Sequence, residues 1–305
     1  MAISTIHRLD KVAFPSSVNF VEVTNMKWNA GIEMMLERPA GHIYPMFAAN
    51  QKQKATIEFT TPQIETVLGA MTVGGAAFGA ITTYFKAAST TGSVARATLG
   101  HKKVVVNSSI GYWTSIRLPH NGRAEASVVI AANYDGSNNP FVYTGSVALA
   151  GNITATEFFG AGPVSINGTS IPGVQDITIE SGITLTQEGG ESELWDTFTG
   201  IEQGNPVVTI TTREMVNWST IGLAGLALNG STGLSFYARK FSANGSRVAN
   251  ATAQHIKFDG ILGMAIPMDS SGEGTSPISD TIKVHLTATS DSVLPLIATT
   301  SSAIS

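Results

Sequence analysis

The 305-residue chain contains no cysteine. A disulfide framework, a thiolate zinc site and a cysteine nucleophile are excluded, so stability must come from packing and association. Charge is scarce: Asp, Glu, Lys and Arg make up 13% of the residues, about half the ~25% usual in globular domains. Interface cores are depleted of charge, so such a surface suits extensive protein–protein contact. The net charge of −4 gives no basic footprint for tight nucleic-acid binding. A long apolar run is missing too. Residues 67–81 form a stretch of 15 without charge, broken by Gly74 and Gly75, whereas a membrane-spanning helix needs ~20. Membrane insertion is not expected. Met1 to Lys11 lacks the basic and apolar regions of a signal peptide, and the expectation is a chain kept in the cytoplasm until assembly.

Catalytic constellations are also lacking. The histidines are His7, His42, His101, His120, His255 and His285. None stands in a His-Glu-x-x-His pattern or beside a carboxylate cluster. The glycines of Gly74 to Gly79 follow a helix, which is the wrong order for a helix N-terminus to cradle phosphate. No Gly-x-Ser-x-Gly occurs. Glu188, Glu191, Glu193 and Asp196 gather around Trp195, without the alternating ligands of a calcium loop. They read as the tip of an acidic hairpin. The expectation is a protein that is not an enzyme and carries no metal or cofactor.

What the chain does have is a pattern stated twice. Val18 to Trp28 and Ala55 to Gly69 reappear as Val174 to Thr186 and Val207 to Gly222. Thr60-Thr61 matches Thr211-Thr212, a shift of 151; Leu68-Gly69 matches Ile221-Gly222, a shift of 153; and Ala97 to Lys103 matches Ala251 to Lys257, a shift of 154. The matches are collinear, which is the signature of duplication. His101 and His255 fall at equivalent places and read as strand residues inherited by copying.

Alternation marks the strands. In Lys54 to Thr60, Ala55, Ile57 and Phe59 alternate with Lys54, Thr56 and Glu58, which predicts a half-buried strand with one polar face. Thr61 as N-cap, Pro62 in the first turn and Glu65 as a capping-box acid predict a helix, with Ile64, Val67 and Leu68 on its buried face. The second copy predicts Met215, Trp218 and Ile221 on the corresponding face. The boundaries that follow are an N-terminal arm at 1–17, a repeat at 18–134, a linker at 135–172, a second repeat at 173–290 and a C-terminal arm at 291–305.

Each half runs as a strand, a long hairpin bearing aromatics, a strand ending in Thr-Thr, a capped helix, a Gly-rich step and more strands. In this order the chain resembles the tail tube (major tail) proteins of long-tailed, non-contractile bacteriophages and the related tubes of contractile injection machines. Residues from about Asp176 to Ala288 resemble them most, and the N-terminal half is a more diverged copy. The fold class implied is mainly β (α+β): two tandem tail-tube-like β-sandwich repeats, each with one flanking helix, contributing strands to an inner β-barrel. The resemblance also implies a virion protein assembled in the bacterial cytoplasm, three chains making a pseudo-six-fold ring. Rings stack into a tube that meets tape-measure, terminator and distal tail proteins and lets DNA pass without specific binding. Carried onto this sequence, Trp28, Met34, Met35, Tyr44, Phe47, Leu194, Trp195 and Phe198 become the hairpin contacts to neighbouring subunits or rings. Thr56, Glu58, Thr209 and Thr211 become the polar lining of the lumen. Two other readings are a receptor- or carbohydrate-binding module using Trp28, Trp113 or Trp195 as stacking platforms, and a capsid decoration protein.

Overall fold

Strands account for 58% of the residues and helical segments for 6%, so the chain is mainly β, as expected. The computed structural model describes residues 5–89, 92–151, 153, 157–190, 194–230, 233–272, 274, 278–290 and 292–305. Three antiparallel sheets carry the fold. The central one has ten strands, in the order Leu226–Ala227, Leu262–Ser271, Ser279–Thr287, Val207–Thr212, Val174–Glu180, Ser108–Pro119, Glu125–Asn133, Thr56–Thr61 and Thr24–Asn29, with Ala76–Phe78 also on Ser108–Pro119.

Two outer sheets cover its apolar face. The first runs Phe141–Val147, His101–Val106, Ile81–Ser89, Thr5–Ala13, Asn19–Phe20, with Gly92–Ser93 as a side strand. The second runs Leu296–Ser302, His255–Gly260, Leu234–Lys240, Phe159–Ile166, Thr169–Ile171. Alternation explains the layering, because successive side chains of a strand point to opposite faces. Ile57, Phe59, Val128, Ile130, Val208, Ile210, Ile282 and Val284 turn inward. Phe20 of the first outer sheet meets Phe59 at 5.6 Å between ring centroids. In the second outer sheet, Phe236 and Phe258 stack at 4.8 Å. Two two-stranded hairpins stand off the sheets, Ile32–Glu37 with Phe47–Gln53 and Thr184–Glu188 with Phe198–Gln203.

Several local expectations are corrected. Residues 135–172, read as a linker, hold the strands Phe141–Val147, Phe159–Ile166 and Thr169–Ile171. The terminal arms likewise contain strands, Thr5–Ala13 between Ile81–Ser89 and Asn19–Phe20, and Leu296–Ser302 at a sheet edge. Thr61 does not cap the helix, which runs Ile64–Ala70 behind an N-cap at Gln63. The Thr61 hydroxyl accepts from Gln63 N at 3.2 Å and donates to Glu22 O at 2.7 Å. The second helix is a single π-type turn, Asn217–Ile221. It buries Ile221 but leaves Met215 and Trp218 at 50% and 59% exposure. Among the described residues no helix is long and apolar enough to cross a membrane.

Candidate functional site

The face of the central sheet opposite the core is polar. Thr56 and Glu58, and Thr209 and Thr211, lie on it between inward-facing neighbours, as their alternation requires. Register carries the pattern across both halves. Lys283 pairs with Thr209, Thr209 with Thr178, Thr178 with Arg117, and Arg117 with Glu125. Lys27 pairs with Glu58 and Glu58 with Val129. Arg117 Nε donates to Asp176 Oδ2 at 2.8 Å. The result is a band of hydroxyls with scattered charges of both signs. Burial and the Glu58 carboxylate push the Tyr112 phenol up, so it stays neutral on this face.

The sheet crosses from one half to the other without a break. Val174–Glu180 pairs with Ser108–Pro119, Ile179 opposite Ile116 and Ile177 opposite Leu118. Its two ends are open. Among the described residues, Thr24–Asn29 pairs only with Thr56–Thr61 on the central sheet. At the other end, Leu226–Ala227 pairs with Met264 and Ala265, and among the described residues 266–271 have no outer strand. The same long strand of the first half, Ser108–Pro119, has 109–111 covered by Ala76–Phe78 and 115–119 covered by Val174–Glu180.

The hairpins differ in what they touch. On the first, Met34 and Tyr44 are 60% and 78% exposed, Phe47 is exposed and Met35 half-buried. The second folds back over the first half. Gln53 N donates to Leu194 O at 2.9 Å, Lys52 Nζ stands 2.9 Å from Asp196 Oδ1, and Tyr134 N donates to Asp196 O at 2.9 Å. Thr199 Oγ1 donates to Asn133 Oδ1. Trp195 packs half-buried against the core and Phe198 stays exposed. The Leu194 backbone is thus held by its own chain while its side chain is 38% exposed. Glu191 and Glu193 lie outside the described residues.

Trp28 also turns inward. Its register opposite Ile57 sets it on the core face, against Phe85 at 5.3 Å and Phe141 at 6.0 Å. Trp113 is fully buried. The three tryptophans considered as sugar platforms do not form an open stacking surface.

The buried histidines do the same structural task twice. His101 Nδ1 accepts from Ala87 N at 2.9 Å and its Nε2 faces Ala95 O at 3.0 Å. His255 accepts from Lys240 N at 3.0 Å and faces Ala249 O at 3.1 Å. The partners fix the Nε2–H tautomer, because a backbone N–H can only donate. Glu157 is buried where the halves meet. Its carboxylate accepts from Glu65 N at 2.9 Å and from the Thr66 hydroxyl, so it caps the Ile64–Ala70 helix. Burial holds its carboxyl above the usual carboxylate range despite these donors. Among the described residues no cluster of three or more His, Asp or Glu is placed to hold a metal.

No protein-family model matches the chain, and no curated protein matches it. Sequence reasoning missed the open strand edges and the exposed Met215–Trp218 turn. Edges are set by pairing partners and leave no mark in alternation. The turn carries the helical spacing of a buried face, but its single wide π-type turn does not hold the α-helical period, and Met215 and Trp218 are left exposed.

Proposed function

We propose that the chain is a structural virion protein, the tube subunit of a long-tailed, non-contractile bacteriophage, polymerising as stacked rings through which DNA passes into the host. The two halves are copies of one unit and act as quasi-equivalent subunits of one ring. The observation that supports this reading is the central sheet, in which Val174–Glu180 pairs with Ser108–Pro119 across the halves and, among the described residues, the end strands lack a full outer partner. Unpaired edges are templates for pairing with another chain. A head-to-tail contact propagates until it closes. With two of its ten strands short, the sheet contributes eight long strands per chain, and three chains bring twenty-four. At ~4.8 Å between strands the perimeter is about 115 Å and the width about 37 Å before tilt. Barrels of 16–18 strands already enclose an aqueous channel, so this one admits a DNA duplex.

The hydroxyl-rich, nearly charge-balanced face then lines the lumen. Phosphate binding needs a surplus of cations, so DNA slides past such a wall. The exposed aromatics and methionines of the first hairpin need a covering partner, a neighbouring subunit or ring. Tape-measure, terminator and distal tail proteins complete the assembly. No cofactor and no catalytic step are involved. Negative-stain microscopy of the purified protein tests the proposal: rings or tubes are expected, and monodisperse monomers or compact trimers that never stack would sink it.

A further inference from the structure

We propose that the cleft on the first outer sheet lined by Ile6, Arg8, Leu9, Ala87, Ala88 and Ser89 seats the Met215–Trp218 turn of a second copy of this chain. The proposal rests on the reading of quasi-equivalent halves and names one contact across the seam between chains. The template is inside the molecule. The Ile64–Ala70 helix of the first half sits on the second half, with Glu65 N and Thr66 Oγ1 donating to Glu157 and Lys240 Nζ 3.2 Å from Glu65 Oε2. It also lies against Leu296–Ser302. The surface it covers is the start of one outer strand and the end of the next.

Register identifies the matching surface on the first half. Val12 pairs with Phe20 and Thr83, as Val164 pairs with Ile171 and Phe236. Both strands carry an irregularity just before this point, between Leu9 and Lys11 and between Ala161 and Val164. Thr5 and Ile6 therefore match Glu157 and Phe158, and Ala87 and Ala88 match Lys240 and Phe241. On the first half this surface forms a cleft of about 600 Å³ in which Ile6 is 48% exposed.

The apolar side chains that would fill it, Met215 and Trp218, are 50% and 59% exposed. Thr61 and Thr212 make the same bonds, each accepting at 3.2 Å from the backbone N–H two residues on. The next backbone bonds, Ile64 N to Pro62 O and Val216 N to Glu214 O, then align Ile64 with Val216. Ile64 and Val216 are both buried, whereas Met215 and Trp218 are exposed. The polarity of the contact also changes in step. Where the second half offers Glu157 as a cap for the incoming helix, the first half has Thr5. The Asn217–Ile221 turn needs no cap from a neighbour, since Asp280 Oδ2 already accepts from Asn217 N at 2.9 Å. An apolar seat for an apolar turn replaces a capped, ion-paired one. Arg8 and Lys86 line the cleft together with Asp10, which is ion-paired to Arg96, and Arg213 and Glu214 lead into the turn.

The cysteine-free background permits a clean test. Ile6→Cys and Trp218→Cys are made as single variants, mixed and mildly oxidised. A covalent dimer is expected from the mixture well above that of either variant alone, and a ladder ending at trimer from the double variant. Trp218→Asp is expected to keep the native circular dichroism and weaken self-association by about tenfold or more, as for a central aromatic contact. If rings form by microscopy yet the mixed pair gives no excess dimer and Trp218→Asp associates normally, the contact is wrong and the tube reading stands. If the native chain never self-associates, both fall.

Discussion

Replacing either buried histidine by leucine removes two bonds at once and restores neither. In His101→Leu the Ala87 N–H loses its acceptor at 2.9 Å and the Ala95 carbonyl loses its donor at 3.0 Å. The ring is fully buried, as is that of His255. A buried polar group left unpaired costs about 1–3 kcal/mol. The Ala95 carbonyl lies nearer the surface and regains part of this from water, so the expected loss is about 2–4 kcal/mol. His255→Leu strips the same pair of groups, Lys240 N and Ala249 O, and should cost about the same, within ~1 kcal/mol. His101→Gln is intermediate, because its amide N–H still reaches toward the Ala95 carbonyl. Urea unfolding followed by tryptophan fluorescence measures this: the midpoint should drop with the slope unchanged. A loss below ~0.5 kcal/mol, or His101→Gln no better than His101→Leu, would refute the assignment of the rings as staples between strand and loop.

Glu157 and two glycines give further outcomes. Burial raises the folded-state pKa of Glu157, so its favourable contribution is fully present below its unfolded value and is lost as pH rises through the folded one. Glu157→Gln should therefore flatten the decline of unfolding free energy with rising pH above ~4.3, and parallel pH profiles would contradict the placement. Gly31 and Gly182 stand at the hairpin bases with φ of 58° and 60°, where an added Cβ would lie 1.9 Å from Lys54 O and 2.2 Å from Asn205 O. Alanine at either position should destabilise by about 2–4 kcal/mol, combining left-handed strain with a forced backbone shift. Thermal unfolding would expose an error if either variant behaves like the native chain.

Alternation made most strands legible, because one face of the central sheet is wet and the other dry. Ile57 and Phe59 against Thr56 and Glu58 could be assigned to faces before any contact was known. The strand Phe159–Ile166 could not be read in this way. Its Gly160, Gly162 and Pro163 look like loop composition, yet the glycines answer to close approach. A Cβ at Gly162 would meet Tyr237 O at 2.6 Å, and one at Gly160 would meet Pro119 O at 3.1 Å. Thr61-Pro62 carried a helix-start signal, but the hydroxyl also bonds to Glu22 O in the chain leading to Thr24–Asn29. The polar residues of the candidate site were legible for the same reason as the strands. Its edges were not, since whether 266–271 has a partner depends on what other chain segments reach it. Trp28, a hairpin contact by the resemblance, is half-buried, because its register opposite Ile57 turns it toward the core.

The mass of the assembled ring tests the central claim most directly. Native mass spectrometry of the protein after assembly should give a unit of three chains, three times 31.9 kDa or about 96 kDa, since each chain then supplies two of six quasi-equivalent positions. A ring of six chains would contradict it, because two units per chain would then serve one position.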